Sequence, residues 1–327
     1  MTVPLSDRYH DRLPLSDSTP LVSLGEGSTP LLPAPRLSER LGLDILLKWE
    51  GANPTGSFKD RGMTIAIAKA LEDGADAVVC ASTGNTAASA AAYAARAGLS
   101  AVVLQPAGAV ASGKLAQARA LGARLLEVRG SFDDALDSAR ELAGQGTHVL
   151  VNSLNPHRLE GQKTAAFEIA EELGGAPDVL ALPYGGGGNT CAYAMGFAEW
   201  GAGEPRLFAV QSGDRAQTVA SAIRIREPVH ATGVAEAIER SNGSVVTVSD
   251  DDILIAWRSL AREEGVFCEP ASAAALAGVE ASGLAAGTRV VCVITGHGLK
   301  DPETAARESP AATAVFADLT SIAEAAA

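Results

Sequence analysis

The chain has 327 residues, 47% of them apolar and 20% charged, and its 39 Asp plus Glu against 26 Lys plus Arg give a formal net charge of −13. This composition excludes disordered, collagen-like and disulfide-scaffold proteins, and a chain of this length can bury a sizeable core unaided. The acidic balance and the low aromatic content of 4% argue against nucleic acid or an anionic membrane surface as partner.

The four cysteines form no CxxC pair and no Cys/His cluster with zinc spacing, so the sequence predicts no metal site. Cys80 and Cys292 lie inside apolar runs, where we expect small buried thiols. The first twenty residues are polar and lack the apolar centre of a signal peptide, and no apolar run reaches the length of a membrane span. We therefore expect a cytoplasmic protein.

Nine short β-branched runs alternate with Ala-rich segments of helical character along almost the whole chain. The predicted strands are DILLKWE (44–50), AVVCAS (77–82), SAVVLQP (100–106), ARLLEV (123–128), THVLVN (147–152), VLALPYG (179–185), RLFAVQS (206–212), SVVTVS (244–249) and RVVCVIT (289–295). Strands that are apolar on both faces and alternate with helices predict parallel sheets covered by helices. The number of strands alone does not exclude a closed eight-fold barrel, which remains an alternative.

Turn and cap residues support this alternation. Ser131 and Asp250 stand where helix N-caps are expected, and Gly98, Gly122 and Gly174 stand at predicted helix C-termini. The rhythm breaks near 145–160, where Asn and Pro interrupt it. An α/β enzyme with two lobes and a cleft between them fits this break.

Ligands of such sheets bind beyond the carboxyl ends of the strands, so the strand-to-helix junctions are the places to look. The first is GANPTGSFKDRGMT (51–64), in which Lys59 begins a predicted helix. The helix dipole disfavours a cation there, which would lower the pKa of Lys59 and suit a catalytic amine. A solvated surface lysine is the alternative.

The second junction is ASTGNTAAS (81–89), where small polar residues cluster before an Ala-rich helix. Hydroxyls and free backbone N–H groups at a helix N-terminus can bind a carboxylate or a phosphate. A multiply satisfied N-cap is the alternative interpretation.

The third junction is PYGGGGNT (183–190), in which four consecutive glycines precede a predicted helix. They let the backbone approach a ligand closely, and a phosphate is the expected guest. The GxGxxG pattern of dinucleotide sites fails at Thr190, so a dinucleotide is not predicted.

The fourth junction is VITGHGLKDP (293–302), where Thr295 ends an apolar strand. A residue at the tip of a strand is placed to face a cleft at that end of the sheet. His297 lies between two glycines. It is either an acid/base group or a turn residue.

Taken in order, NPTGSFKDRGM, ASTGNTAAS, GGGGN and the C-terminal TG resemble the pyridoxal-phosphate enzymes of the tryptophan-synthase-β fold group, called fold type II. Two further segments, NSLNPHRLEGQKTAAFEI (152–169) and TGHGLKDP (295–302), narrow the resemblance to the threonine synthases. The resemblance implies two α/β domains with mostly parallel sheets covered by helices. Residues 47–150 would form the smaller domain, and residues 1–46 with 151–327 the larger, cofactor-binding domain.

The same resemblance implies a role for each matching residue. Lys59 would carry pyridoxal 5′-phosphate covalently, Asn85 would hydrogen-bond its O3′ atom, and Thr295 would face its pyridine nitrogen. The cofactor phosphate would lie on the loop formed by Gly185, Gly186, Gly187, Gly188 and Asn189. The substrate-binding residues would be Ser82, Thr83 and Thr86 in the substrate loop, and Asn152, Ser153 and Arg158 in the pocket for the substrate phosphate.

The implied reaction is a β,γ-replacement, in which a carbon–oxygen lyase converts O-phospho-L-homoserine and water to L-threonine and phosphate. The family suggests a homodimer. Two departures leave an alternative open: many threonine synthases have a GNAGN-like loop where this chain has GGGGN, and the segment between Trp200 and Glu236 is short. The alternative is a threonine-synthase-like paralogue, a dehydratase or β-replacement enzyme, that acts on a related amino acid with or without a phosphate. A binding module without activity is a third hypothesis.

Overall fold

A computed structural model describes residues 3–108 and 113–326. Its strands are β1 (Leu31–Pro33), β2 (Asp44–Trp49), β3 (Ala77–Ala81), β4 (Ser100–Pro106), β5 (Arg124–Val128), β6 (Val149–Leu150), β7 (Val179–Pro183), β8 (Arg206–Ser212), β9 (Ser244–Val248) and β10 (Arg289–Ile294). All nine predicted strands are present. The additional strand, β1, is three residues long and contains a proline, so it carries no periodic pattern to predict it.

The helices alternate with the strands as expected for an α/β protein. They are α1 (Leu5–Arg8), α2 (Pro35–Leu41), α3 (Lys59–Glu72), α4 (Asn85–Ala97), α5 (Gly113–Ala120), α6 (Phe132–Gly144), α7 (Pro156–Leu173), α8 (Gly188–Trp200), α9 (Ala231–Arg240), α10 (Asp250–Glu263), α11 (Pro270–Glu280), α12 (Pro302–Glu308) and α13 (Leu319–Ala326). Short 3₁₀ helices cover His10–Arg12, Glu50–Ala52, Ser221–Ile223 and Gly298–Lys300. Within the ranges described, no helix combines the length and apolar character needed to cross a bilayer.

The strands form two open sheets, so the barrel alternative is wrong. The larger sheet has the order β1-β2-β10-β7-β8-β9 and is parallel except for β1, which pairs antiparallel with β2. The smaller sheet has the order β5-β4-β3-β6 and is parallel throughout. All strands of the smaller sheet lie within residues 77–150, whereas β2 runs to Trp49 in the larger sheet. The domain bounds at 47 and 150 stay a prediction.

The predicted caps are largely confirmed. The Ser131 hydroxyl accepts the backbone N–H of Asp134 and caps α6, and Gly98 and Gly174 end α4 and α7 in the left-handed conformation. The prediction that Asp250 is the N-cap of this helix is wrong, because Ser249 caps α10. The Asp250 carboxylate instead accepts the Val219 N–H at 2.8 Å, so it secures the loop that follows β8.

Helices α3 and α7 pack unusually close, and this contact places the ends of both helices at one cleft. A Cβ atom on Gly161 would lie 2.0 Å from the Arg61 carbonyl oxygen, and one on Gly62 would lie 2.5 Å from the Arg158 carbonyl oxygen. Only glycine permits this backbone approach. The start of α3, with Lys59, is thereby brought near Arg158 in the first turn of α7.

The predicted buried thiols are confirmed. Cys80 in β3 and Cys292 in β10 are fully buried, and burial raises the pKa of each to about 12. Both therefore behave as small apolar residues of the two sheet cores.

Candidate active site

Lys59 is the first residue of α3, and the strand tip of the larger sheet fixes its position. The N–H of Phe58 donates to the Thr295 carbonyl at 3.1 Å, and Lys59 Nζ lies 4.3 Å from the centre of the Phe58 ring. Burial and, to a smaller extent, the Arg158 guanidinium lower the pKa of Lys59, the Glu269 carboxylate opposes both, and the net value is about 7. A large share of the amine is therefore neutral near pH 7, which a nucleophile requires.

Thr295 follows β10 and is 5% exposed, as expected of a strand-tip residue. Its Oγ1 lies 2.9 Å from Oγ of Ser272, and the Ser272 hydroxyl accepts the N–H of Gly296 at 2.9 Å. With Ser272 donating its proton to Thr295, the Thr295 hydroxyl stays able to donate to a ring nitrogen. The sequence did not indicate Ser272 as a site residue, because it lies in the first turn of an Ala-rich helix whose composition is typical of a buried core helix.

Asn85 begins α4 and faces a carboxylate. Its Nδ2 donates to Glu269 at 2.9 Å and 3.2 Å from the two carboxylate oxygens. Glu269 is 4% exposed, precedes α11, and its N–H donates to the Gly296 carbonyl at 3.0 Å. Because an amide nitrogen carries two hydrogens, Asn85 can keep this contact and still present a donor to a ligand. Glu269 is a second site residue that no sequence motif indicated.

The glycine loop lies between β7 and α8 and is covered by the segment after β8. Gly187 has φ +89°, and a Cβ atom there would lie 2.7 Å from Cγ2 of Val234. A Cβ atom on Gly185 would lie 3.1 Å from Cα of Ile223. The loop therefore needs glycine for its conformation at one position and for close packing at another.

Unpartnered buried polar atoms follow this loop at the N-terminus of α8. Asn189 and Thr190 are 8% and 0% exposed, and among the described residues nothing hydrogen-bonds Nδ2 or Oδ1 of Asn189 or Oγ1 of Thr190. Buried polar atoms are rarely left in this state, and a helix N-terminus attracts anions. The residues therefore fit the phosphate of pyridoxal phosphate, and Thr190, which only broke the dinucleotide motif in the sequence, joins the site.

The loop between β3 and α4 uses its polar residues in different ways. The Ser82 hydroxyl accepts the N–H groups of Gly84 and Ala87, each at 3.2 Å, so it acts as a cap. Thr83 is exposed and Thr86 is half-buried. Their assignment to a substrate loop, together with Ser82, stays a prediction.

Arg158 is the most unusual charged residue of the cleft. Its side chain is fully buried, and Nη1 donates to the Val151 carbonyl at 2.7 Å. Nε and Nη2 have no hydrogen-bond partner within the described ranges, and burial lowers the pKa to about 10. The guanidinium is therefore buried, still cationic near neutral pH, and has hydrogen-bond donors without acceptors. Such a group fits an anionic ligand, and its planar pair of donors matches a phosphate.

The two neighbours predicted to share this phosphate pocket make other contacts. The Asn152 amide pairs with the Ala81 backbone, donating to the carbonyl at 2.8 Å and accepting the N–H at 2.9 Å. Ser153 is half-buried, and its carbonyl oxygen lies 2.9 Å from Nε2 of His230. Asn152 thus joins the ends of β3 and β6, and its contact with a substrate, like that of Ser153, stays a prediction.

Of the two interpretations of His297, the structure favours a turn residue. Its Nδ1 accepts the N–H of Leu299 at 3.1 Å and so caps the 3₁₀ helix that follows. The ring packs between Trp49 and Phe267, with ring centres 5.7 Å and 5.9 Å away. These contacts hold the turn that follows β10 in place.

The fold and this site define the class of protein. The family model described as "Pyridoxal-phosphate dependent enzyme" matches residues 22–296, and the chain belongs to that family. Threonine synthase from Halalkalibacterium halodurans is 51% identical over 92% of this chain and 90% of that protein. Threonine synthase from Mycobacterium tuberculosis is 50% identical over 97% of this chain and 94% of that protein. Within the pyridoxal-phosphate enzymes, the chain therefore belongs to the threonine synthase family.

Solved structures of more distant relatives confirm fold type II. A mutant of O-ureido-L-serine synthase, solved with O-ureido-L-serine bound, has a TM-score of 0.77 at 21% identity, covering 96% of this chain and 99% of that one. Cysteine synthase from Entamoeba histolytica has a TM-score of 0.77 at 20% identity, covering 92% of this chain and 96% of that one. At these identities the likeness establishes the fold alone.

Proposed function

We propose that this protein is a threonine synthase, a lyase that uses pyridoxal 5′-phosphate to convert O-phospho-L-homoserine and water to L-threonine and phosphate. Relatives with this name share about half of the sequence over nearly the whole chain. The observation that favours a phosphorylated substrate is Arg158, which is buried and has two nitrogens without a hydrogen-bond partner among the described residues.

On this proposal, the chain's own residues would supply the contacts for the cofactor. Lys59 would hold it covalently, Asn85 would meet O3′, and the Thr295 hydroxyl would meet the pyridine nitrogen. The backbone of Gly185, Gly186, Gly187 and Gly188 with Asn189 and Thr190 would hold its phosphate. When bound, pyridoxal phosphate supplies an electron sink for the carbon next to the substrate amine. A neutral hydroxyl does not hold the ring nitrogen protonated as a carboxylate would, which limits that sink.

Lys59 is the group that moves protons. Its neutral Nζ would accept the proton from the substrate α-carbon and return a proton further along the substrate chain. A pKa of about 7 suits both directions, because neither protonation state is scarce at neutral pH. Phosphate leaves from the γ-carbon and water adds at the β-carbon, so the products are threonine and phosphate.

The substrate would be held at both ends. Arg158, with Asn152 and Ser153 beside it, would bind the phosphate, and Ser82, Thr83 and Thr86 would bind the carboxylate. The second candidate function, a dehydratase or β-replacement paralogue, has in its favour the tetraglycine loop that is common in the wider fold group. The unpartnered Arg158 argues against a substrate without phosphate.

The deciding experiment measures phosphate and threonine together. We expect purified protein saturated with pyridoxal phosphate to release both from O-phospho-L-homoserine, mole for mole. Arg158→Met should lower kcat/KM at least about 100-fold, since it removes a buried charge partner of the phosphate, and should keep the cofactor absorbance. The control Arg140→Met removes an exposed arginine on α6 and should change nothing. Absorbance without turnover in the unmodified protein would favour the paralogue.

We also propose that the protein works as a homodimer in the cytoplasm, with lobes 47–150 and 1–46 plus 151–327. Family membership supports all three statements. Light scattering after gel filtration measures the mass in solution, and a monomer at assay concentration with full activity would contradict the dimer. Cell fractionation tests the location.

A further inference from the structure

His230 bonds to both loops that the proposed function assigns to phosphate groups. It precedes α9 and is half-buried. Its backbone N–H donates to the Gly186 carbonyl at 3.0 Å, and its Nε2 lies 2.9 Å from the Ser153 carbonyl oxygen. Because a carbonyl only accepts, Nε2 carries the hydrogen in this contact. One residue therefore joins the glycine loop of the larger sheet to the segment after β6.

The imidazole also lies directly against the glycine loop. A Cβ atom on Gly188 would lie 3.3 Å from Cδ2 of His230, and one on Gly187 would lie 3.2 Å from its Cβ. A side chain at Gly188 would press on the ring and one at Gly187 on the Cβ atom, so either would shift His230 by a few tenths of an ångström. Gly187 and Gly188, the last two of the four consecutive glycines, therefore leave room for His230.

The segment that His230 contacts carries Arg158. It is held on its other side by the Asn152 amide, which pairs with the Ala81 backbone. Asn155 caps α7 by accepting the His157 N–H at 3.0 Å, and Arg158 donates back to the Val151 carbonyl at 2.7 Å. The position of the Ser153 peptide therefore affects where the guanidinium lies relative to the glycine loop.

We propose that His230 is a positioning residue for the substrate phosphate: its imidazole holds the Asn152–Arg158 segment against the glycine loop and fixes the separation of the two phosphate sites. This inference rests on the proposed function, because it takes Arg158 as the ligand of the substrate phosphate. His230 acts through the Ser153 peptide and not on the reacting atoms. Its loss should therefore weaken phosphate binding and leave the chemical step largely intact.

The test compares three substitutions in the holoenzyme. We expect His230→Ala to raise both KM for O-phospho-L-homoserine and the inhibition constant of inorganic phosphate by about 5- to 10-fold, with kcat within about 2-fold, as the loss of one hydrogen bond predicts. His230→Gln should restore both constants to within about 2-fold, because its amide N–H lies as many bonds from the backbone as Nε2. His230→Asn is one bond shorter and should resemble the alanine variant, which keeps the test valid if alanine impairs folding.

The matched control is His148→Ala, which removes a half-buried histidine whose ring contacts Thr147. It should leave both constants unchanged. Unchanged constants in His230→Ala or His230→Asn, or a glutamine variant as impaired as alanine, would overturn the positioning role. A wild-type enzyme without threonine formation would instead overturn the proposed function, and this inference with it.

Discussion

Lys59 has two charged neighbours of opposite sign, and their balance sets its chemistry. Burial lowers its pKa, the Arg158 guanidinium lowers it further, and the Glu269 carboxylate raises it, with a net value of about 7. Glu269 also receives a hydrogen bond from Asn85. The amine is therefore tuned by residues from α7 and from the start of α11, neither of which is adjacent to it in sequence.

This balance predicts opposite shifts for two substitutions. Glu269→Gln should lower the pKa of Lys59 below about 7, because it removes a negative charge, and Arg158→Met should raise it, because it removes a positive charge. Only the neutral amine reacts with an aldehyde. The rate at which the protein without cofactor captures pyridoxal phosphate, followed by absorbance against pH, should therefore have its midpoint at lower pH in the first variant and at higher pH in the second. Shifts in the same direction would contradict the electrostatic account.

At the scale of elements, the contact between α3 and α7 is the junction on which the site depends. The contact brings Lys59 and Arg158 together, and it surrounds a buried ion cluster. Arg61 lies 2.7 Å from Glu50 and 2.6 Å from Glu168, and Lys48 lies 2.7 Å from Glu168. Two cations and two anions thus link β2, α3 and α7 without a net charge.

Gly161→Ala tests this junction. Its Cβ would lie 2.0 Å from the Arg61 carbonyl, which is backbone and can move only if the helices separate. We expect a loss of about 1–3 kcal/mol in the free energy of unfolding and a marked loss of activity, because Arg158 would shift with α7. Gly144→Ala is the control, since the new Cβ would meet nothing within 4 Å at the end of α6, and it should be neutral or slightly stabilising. Denaturant unfolding measures both, and equal stability of the two variants would refute the close-packing argument.

Across the whole molecule, local patterns predicted what depends on neighbours in sequence. Apolar runs indicated the nine strands other than β1, and the motif around Lys59 indicated a lysine of lowered pKa at the start of α3. Residues reached only through folding were missed: Glu269 lies 184 positions from its partner Asn85, and His230 lies 77 positions from Ser153. Ser272 looked like a core residue because its helix is apolar, and only the packing of α11 against β10 places its hydroxyl beside Thr295. Such contacts depend on how helices pack on each sheet and on how the two sheets face each other, and no spacing along the chain encodes that.

The acid stability of the whole molecule should depend on Glu168. Burial alone would raise its pKa, but Arg61 and Lys48 lower it from 4.5 to about 2. A carboxylate with a depressed pKa stabilises the fold fully above its ordinary value, and that contribution is lost as the pH falls from about 4.5 to about 2. Wild-type unfolding free energy should therefore fall steadily through this window.

Glu168→Gln isolates that contribution. At pH 7 it leaves Arg61 and Lys48 with only Glu50 to balance them, and we expect a loss of about 3–5 kcal/mol. Glutamine does not titrate, so the difference in unfolding free energy between variant and wild type should shrink as the pH falls from 4.5 towards 2. Glu141→Gln, on the outer helix α6, is the control and should follow the wild-type curve. Denaturant unfolding at pH 7, 4.5, 3.5 and 2.5 measures all three proteins. A difference that stays constant over this range would show that the Glu168 carboxylate stabilises the fold by its shape and hydrogen bonds and not by its charge.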